Sequence, residues 1–309
     1  MKSILLGSAL LALAALAYWL WTPDKGRDEL AAKYLAAPGD IESIGPWRLH
    51  VRDTGPRAAP PVILIHGLGA SLHTWDAWAA GLEREHRVIR FDLPGSGLSE
   101  PDPKGDYGDG RSVELLLALM DRLGLARASI AGHSIGGRIA WTFAALHPGR
   151  VDKLVLVAPD GFASPGFEYG KAPDVPAFLG AMRYVLPKAV LRMNLAPAYA
   201  DPGFLSDALT TRYHDLLLAP GARAAMLARM RQTVLVDPLP LLGRVAAPTL
   251  LVWGEQDAMI PFANSADYLR AVPNATLSAV PAVGHLPHEE AAERSLPAVK
   301  AFLRAPVIG

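Results

Sequence analysis

The sequence predicts an α/β protein built around a mostly parallel sheet. Five short apolar runs rich in Val, Ile and Leu end at turn-forming residues, as strands buried on both faces do. They are "PVILIHG" (61–67), "HRVIRFD" (86–92), "ASIAGHS" (128–134), "DKLVLVA" (152–158) and "APTLLVWG" (247–254). Helical patterns such as "SVELLLALMDRLG" and "GGRIAWTFAALHP" lie between several of them. Strand followed by helix, repeated, is typical of a doubly wound sheet.

The composition excludes several classes of protein. The chain has 309 residues and a hydrophobic content of 51%, which is ample for a large buried core. Thirty basic residues balance thirty acidic ones, so the broad positive field that attracts nucleic acid is missing, and we expect no nucleic-acid partner. The absence of cysteine excludes a disulfide scaffold and a thiol nucleophile.

The first 21 residues predict a membrane anchor. Ser3 to Trp21 carry no charge over a length that roughly matches the hydrocarbon core of a bilayer, at about 1.5 Å per helical residue. We therefore expect a single-pass N-terminal helix that binds the membrane, with the rest of the chain outside the cytoplasm. A cleaved signal peptide, with small residues at Ala14 to Ala17, and a plain buried helix remain alternatives.

The rest of the chain divides into three parts by pattern. Residues 22–40 read as a connector with a short helix in "RDELAAKYLAA". Residues 41–161 and 244–309 carry the strand runs and form the predicted core. Residues 162–243 carry helical patterns broken by prolines and no strand run. A structureless loop of that length is uncommon in a compact domain, so we expect an inserted helical cap.

A serine nucleophile is predicted at Ser134. "GHSIG" (132–136) fits G-x-S-x-G between a predicted strand and a predicted helix, which is the context that makes this short pattern specific. A serine on such a sharp turn is lifted clear of the backbone, and small neighbours prevent collisions across the bend. The amide of Ile135, at the helix start, is placed to bind an oxyanion. An ordinary tight turn with an incidental serine is the alternative.

The predicted general base is His285. A serine hydroxyl needs a base to take its proton, and "VGHLPHEE" places this histidine on a loop after the last predicted strand. Two other histidines compete for the role. His288 is expected in the following helix, and His133 packs beside its own strand, so both are weaker candidates.

The predicted acid that orients this base is Asp257. It lies in the turn of "WGEQDAMIP", directly after a strand run. Asp160, at the end of "LVLVAPD", is the rival, because a carboxylate there also reaches towards the base. The order serine, aspartate, histidine along the chain is one of the orders in which such triads occur.

A second oxyanion donor is predicted in the loop "HGLGAS" (66–71). Its glycines let the backbone approach the nucleophile, and the amide of Leu68 is the candidate donor. A flexible turn at the strand end is the alternative. Asp92, in "FDLPGSGLS", is interpreted as a residue that organises its loop rather than as a catalyst.

Taken together, these segments resemble the α/β-hydrolase superfamily over about residues 41 to 305. "HGLGAS", "DLPGSGLS", "GHSIGG", "WGEQDAMIP" and "GHLPHEE" occur in that family's order, which is far more specific than any one motif. The resemblance implies an eight-stranded sheet, no cofactor and hydrolysis through a covalent serine intermediate. Dehalogenases and epoxide hydrolases of this fold carry an aspartate nucleophile where this chain has Ser134.

The function that we expect is hydrolysis of carboxylic esters by an esterase or lipase-like enzyme acting on a small ester or lipid-like molecule. The alternative is a carbon–carbon bond hydrolase of ring-fission products, which the cap phrase "DALTTRYHDLLLAPGARAAM" resembles. Those enzymes typically carry a tryptophan after the catalytic histidine, where this chain has Leu286. A binding protein without catalytic activity is a further alternative. Apolar cap residues are candidates for an acyl site or for the cap's own core: Phe178, Met182, Met193, Leu195, Met226 and Met230.

Overall fold

A computed structural model describes residues 20–163 and 168–306. Its eight strands form one sheet in the order β1-β2-β4-β3-β5-β6-β7-β8. β2 alone runs opposite to the other seven strands, which confirms the predicted mostly parallel eight-stranded sheet. The strands are β1 (Ile41–Ile44), β2 (Trp47–Thr54), β3 (Pro61–Ile65), β4 (Arg87–Phe91), β5 (Ala128–His133), β6 (Val151–Val157), β7 (Thr249–Gly254) and β8 (Ala275–Val280).

Helices cover both faces of the sheet. The described residues form α1 (Arg27–Tyr34), α2 (Asp76–Leu82), α3 (Asp109–Arg122), α4 (Ile135–Leu146), α5 (Lys188–Leu195), α6 (Asp207–Leu217), α7 (Ala222–Gln232), α8 (Leu239–Leu242), α9 (Asn264–Ala271), α10 (Pro287–Glu290) and α11 (Ala292–Arg304). Successive residues of a strand point to opposite faces. In β3, Val62 and Leu64 join the core beneath α2 and α11, whereas Ile63 and Ile65 join the core beneath α3 and α4.

Helices and 3₁₀ turns occupy much of the described chain between β6 and β7. The stretch begins with a 3₁₀ segment over Ala177–Arg183, and α5 starts directly after Pro187, whose ring fits the beginning of a helix. α6 and α7 follow. The division into a core and a cap at residues 162 and 243 stays a prediction.

The connector packs against this helical insertion. Asp215 of α6 is buried and accepts hydrogen bonds from Lys33 Nζ at 2.5 Å and from Tyr34 Oη at 2.7 Å. Lys25 Nζ lies 3.0 Å from the same carboxylate. These partners outweigh burial and lower the pKa of Asp215. Leu30, fully buried, fixes the connector helix to the insertion.

The predicted membrane anchor is wrong for the part of the chain that the structure describes. Among residues 20–163 and 168–306, no helix is long and apolar enough to cross a membrane. Of the segment Ser3 to Trp21, all but the last two residues lie outside the described residues, as does the predicted signal-peptide site. The predicted localisation, a single-pass anchor with the rest of the chain outside the cytoplasm, depended on that anchor and is therefore not supported.

Candidate active site

Ser134 stands on a strained turn between β5 and α4. Its backbone has φ 53° and ψ −120°, in a region that residues with a side chain rarely adopt. The turn is held by hydrogen bonds from its amide to the carbonyl of Val157, at 3.0 Å, and from the amide of Asp160 to its own carbonyl, at 3.0 Å. The strain is therefore fixed by the neighbouring strand end, and the hydroxyl is presented at the carboxyl edge of the sheet.

Glycines let three backbone segments meet around this turn. A Cβ at Gly132 would lie 2.2 Å from the carbonyl oxygen of Gly136, and one at Gly136 would lie 2.4 Å from that of Ile65. A Cβ at Gly67 would lie 3.2 Å from the Ser134 Cβ. The loop that carries Leu68 therefore approaches the serine directly.

The two predicted oxyanion donors lie on either side of Ser134. Ile135 is the first residue of α4, and a helix leaves its first N–H groups without a helical partner. The dipole of α4 adds positive potential at the same end. Leu68 follows Gly67 on the loop beside the serine, so the two predicted donors, Leu68 and Ile135, flank Ser134. Both line the cavity described below.

His285 and Asp257 form a buried hydrogen-bonded pair. The imidazole donates from Nδ1 to Oδ2 of Asp257 at 2.8 Å. The other carboxylate oxygen accepts the amides of Met259 at 2.8 Å and Ile260 at 2.9 Å. With Nδ1 as the donor, Nε2 of the neutral ring is left as a proton acceptor. The aspartate thus fixes both the orientation and the tautomer of this histidine.

One cavity of about 430 Å³ brings Ser134 and His285 to the same space. Its wall comes from the ends of β5 and β6, from the insertion and from the loop after β8. Most of the side chains are apolar. Of the six apolar cap candidates, Leu195 and Met230 line this cavity, Met182 and Met226 pack within the insertion, and Phe178 and Met193 are largely exposed.

Neither rival histidine is placed as a base. His288 is fully buried, its Nε2 is hydrogen-bonded to Thr74 Oγ1 at 3.1 Å, and burial lowers its pKa well below the usual value. His133 lines the cavity, but its Nε2 donates to the backbone carbonyl of His285 at 3.0 Å. Burial, followed by the neighbouring histidines, lowers the pKa of His133 as well.

The rival acid, Asp160, pairs with an arginine instead of with the base. Its Oδ2 lies 3.0 Å from Nη1 of Arg138, a buried side chain on α4. Burial raises the pKa of Asp160, although Arg138 opposes this. Asp160 lines the same cavity as Ser134, so its carboxyl group is one of the polar groups in the cavity wall.

Asp92 ties two loops together beside the oxyanion loop. Its Oδ1 accepts the amide of Leu72 at 2.6 Å, and its Oδ2 accepts the amide of Leu98 at 2.9 Å and Nδ1 of His50 at 2.8 Å. Burial opposes ionisation, but His50 and its neighbours hold the pKa of Asp92 at about 2. The residue is an ionised anchor for loop backbone.

Sequence reasoning missed an acidic side chain that joins the insertion to the loop of the base. Glu289, buried in α10, accepts hydrogen bonds from Tyr199 Oη and Tyr213 Oη, each at 2.8 Å, and from Arg212 Nη2 at 2.5 Å. Burial raises its pKa, although Arg212 opposes this. The two adjacent acids after the histidine were a visible signal, but the partners of Glu289 lie more than 70 residues away in the chain.

The backbone of the base loop is also bound to the insertion. The amide of His285 donates to the carbonyl of Ala198 at 2.8 Å. Glu290 accepts the amide of Gly284 at 2.7 Å with one oxygen and the amide of Asp201 at 2.9 Å with the other. The position of the base therefore depends on the segment that follows α5.

Comparison with known proteins identifies the class. The family model of the alpha/beta hydrolase fold matches residues 60–292, so the chain belongs to the alpha/beta hydrolase family and is a hydrolase of that fold. A dihydrolipoyllysine-residue acetyltransferase component of an acetoin cleaving system from Pseudomonas putida is 32% identical over 278 residues, which is 87% of this chain and 70% of that protein.

Two further relatives are hydrolases by name. A 2-hydroxymuconate semialdehyde hydrolase from Pseudomonas putida is 30% identical over 291 residues, covering 91% of this chain and 95% of the relative. The structure of a meta-cleavage product hydrolase from Pseudomonas fluorescens IP01 superposes with a TM-score of 0.73 at 25% identity, covering 85% of this chain and 96% of that chain. The relatives thus share the fold and differ in the reactions that their names describe.

Proposed function

We propose that this protein is a serine hydrolase that cleaves carboxylic esters with an apolar acyl group. The observation that carries the proposal is the cavity shared by Ser134 and His285, whose wall is mainly apolar. Its charged groups apart from histidine are two carboxylates, Asp160 and Asp174. Apolar pockets with a few converging polar groups are typical of small-molecule sites.

The mechanism follows from the roles of the side chains. Ser134 Oγ attacks the ester carbonyl while Nε2 of His285 takes its proton, and Asp257 stabilises the imidazolium that forms. The amides of Leu68 and Ile135 bind the oxyanion of the tetrahedral intermediate. The intermediate collapses as His285 returns the proton to the leaving alcohol. Water then hydrolyses the acyl-enzyme by the same steps.

The charge of the cavity favours an ester over a ring-fission product. A ring-fission product is a dienone acid, and its carboxylate would need a cation in a site of low dielectric. Among the described residues that line this cavity there is no lysine or arginine. Arg138, the cation beside it, is already paired with Asp160. A neutral acyl group meets no such penalty against this wall.

The neighbour of the base supports the same preference. Leu286 lines the cavity directly after His285, together with Leu195 and Met259 from other segments. Burial of an apolar side chain against such a wall contributes roughly 25 cal/mol per Å² of apolar surface removed from water. We therefore expect kcat/KM to rise as the acyl chain lengthens until the cavity is filled.

The test compares a chain-length series of p-nitrophenyl esters with a ring-fission dienone acid. We expect the wild type to hydrolyse the esters faster and to be labelled by a fluorophosphonate probe. Ser134→Ala should lose labelling and lower kcat by at least about 10³-fold, because the covalent step is gone. Ser129→Ala is the matched control, since Ser129 lies on the same strand outside the cavity wall.

Three results would contradict the proposal. Labelling that persists in Ser134→Ala would remove this serine from the mechanism. Cleavage of the dienone acid thousands-fold faster than any ester would assign the protein to the carbon–carbon hydrolases. A folded wild type with neither labelling nor turnover would favour a binding protein of the same fold.

A further inference from the structure

A buried arginine without a counter-ion lies beside the oxyanion loop. Arg229 is on α7, and only 6% of its surface is exposed. Its Nη1 donates to the backbone carbonyl of Tyr107 at 3.3 Å, and its guanidinium lies 5.2 Å from the centre of the Tyr107 ring. The ion pairs formed among the described residues include the other buried arginine of this helix, Arg223, with Asp24, but none includes Arg229.

The two acids that attract Arg229, Asp102 and Asp109, each have a closer ion-pair partner. Asp102 is paired with Arg111 at 2.9 Å, and Asp109 is paired with Arg138 at 3.2 Å. Burial lowers the pKa of Arg229 to about 10, so the guanidinium remains charged at neutral pH. A charge in this position is costly for folding, and such costs are often found where a charge serves function.

α7 brings Arg229 to a small void that the residues of both predicted oxyanion donors also line. Arg229 lines a small void together with Gly67, Leu68 and Ile135. The helix approaches closely, because a Cβ at Gly69 would lie 3.4 Å from Met226 Sδ. The void measures about 10 Å³, room for about one water-sized sphere and too little for a substrate group. Arg229 is not among the described residues that line the cavity of Ser134 and His285, so it lies outside the space where an ester would bind.

The buried imidazole of His66 is affected by the same charge of Arg229. His66 immediately precedes the oxyanion loop and is fully buried. Burial lowers its pKa, although Asp92 and the hydrogen bond to the Gly67 carbonyl oppose this, and Arg229 adds a smaller lowering effect.

We infer that Arg229 stabilises the tetrahedral intermediate by its electric field, as an electrostatic support for the Leu68 and Ile135 amides. The inference rests on the proposed ester hydrolysis at Ser134. In a buried site of low dielectric, a charge acts through distances at which water would screen it. The ester is neutral and the intermediate carries an oxyanion, so the charge lowers the energy of the transition state more than that of the bound substrate.

The test uses two substitutions at the same site and a control on the same helix. Arg229→Met removes the charge at similar length, and Arg229→Lys keeps it. Arg223→Met removes a buried arginine that pairs with Asp24, at 2.6 Å, on the connector side of α7. The measurements are kcat/KM for a p-nitrophenyl ester, the inhibition constant of an aryl boronic acid, which forms an anionic tetrahedral adduct on serine, and the melting temperature.

We expect Arg229→Met to lower kcat/KM and to weaken boronate binding by the same factor of about ten, less than the loss for a direct oxyanion donor. Arg229→Lys should restore most of both. The melting temperature of Arg229→Met should stay close to that of the wild type, because removal of an unpaired buried charge offsets the loss of the hydrogen bond to the Tyr107 carbonyl. Arg223→Met should keep its activity and lose stability.

Two results would overturn the inference. Unchanged kcat/KM and boronate affinity in Arg229→Met would show that the charge does not act on the oxyanion. A loss of activity with unchanged boronate affinity, or one that Arg229→Lys does not restore, would assign Arg229 a packing role. If the wild type hydrolyses no ester and binds no boronate, the proposed function itself fails. That result concerns the wild type and is therefore distinguishable from the two results for the Arg229 variants.

Discussion

His133 donates a hydrogen bond from Nε2 to the backbone carbonyl of His285 at 3.0 Å. The residue before the predicted nucleophile therefore holds the main chain of the predicted base, and the two rings lie 4.5 Å apart. Because burial keeps His133 neutral at neutral pH, its ring leaves no second positive charge beside the imidazolium that forms at His285 during turnover. The pair links the two halves of the candidate site.

His133→Phe should lower kcat for ester hydrolysis by about tenfold. The aromatic ring keeps its packing, but the carbonyl of His285 loses its donor, and a buried carbonyl without a partner costs about 1–3 kcal/mol. His147→Phe is the control, since His147 follows the last residue of α4 and does not line the cavity. Equal turnover by both variants and the wild type would show that this hydrogen bond does not position the base.

Asp257→Asn should lower kcat by about 10³- to 10⁴-fold, because an amide at this position favours the wrong imidazole tautomer. Asp160→Asn should cost much less, since Asp160 is paired with Arg138 and not with His285. The two variants are compared by kcat on a single ester and by melting temperature. A larger loss for Asp160→Asn would reverse the assignment of the acid.

Stability should fall as pH drops below about 6.5, because the unfolded chain then binds protons that the folded chain does not. Burial lowers the pKa of His66, His133 and His288, and it lowers that of His73 to about 4. Each such histidine contributes up to about 1.4 kcal/mol per pH unit, and for His73 the loss extends to about pH 4.

Urea unfolding at several pH values between 7.5 and 4.5 measures this slope. His73→Gln should reduce this slope by up to about 1.4 kcal/mol per pH unit, the contribution of one proton, because one imidazole with a lowered pKa is removed. An identical slope in the variant, or a wild-type stability that does not change over this range, would contradict the buried neutral histidines.

Gly136→Ala should destabilise the fold by about 3 kcal/mol, because its Cβ would lie 2.4 Å from the Ile65 carbonyl oxygen and the elbow cannot move away without breaking its hydrogen bonds. Gly149→Ala is the control, because nothing lies within 4 Å of a Cβ there. Its effect should stay within about 0.5 kcal/mol. Thermal unfolding of both variants gives the comparison.

Local sequence motifs predict the proposed catalytic residues of this site, but they do not predict the buried side chains that surround them. The elbow at Ser134 follows from its spacing between small residues, and Asp257 and His285 follow from their places after strand runs. Arg229 and Glu289 belong to no local motif. Their roles depend on partners far away in the chain: Tyr107 for Arg229 and Tyr199 for Glu289.

The N-terminal strands show the same limit. β1 and β2 form a hairpin at the sheet edge, and no predicted strand run lies there, because edge strands that are partly exposed alternate in polarity. An uncharged apolar run likewise has the same composition whether it crosses a membrane or not. The anchor was predicted from length and hydropathy alone, and no helix among the described residues is long and apolar enough to cross a membrane.

Because the amide of His285 donates to the carbonyl of Ala198, the two parts of the cavity wall should tolerate substitutions differently. Substitutions near Ala198 disturb the base itself, so they should change the rate for every substrate alike. A second segment also lines the cavity but makes no backbone hydrogen bond with the loop of His285; its lining residues are Pro173, Asp174, Val175, Pro176 and Leu179. Laboratory evolution of substrate range should therefore accept changes in that second segment first, and variants selected there should keep the wild-type rate on the parent substrate.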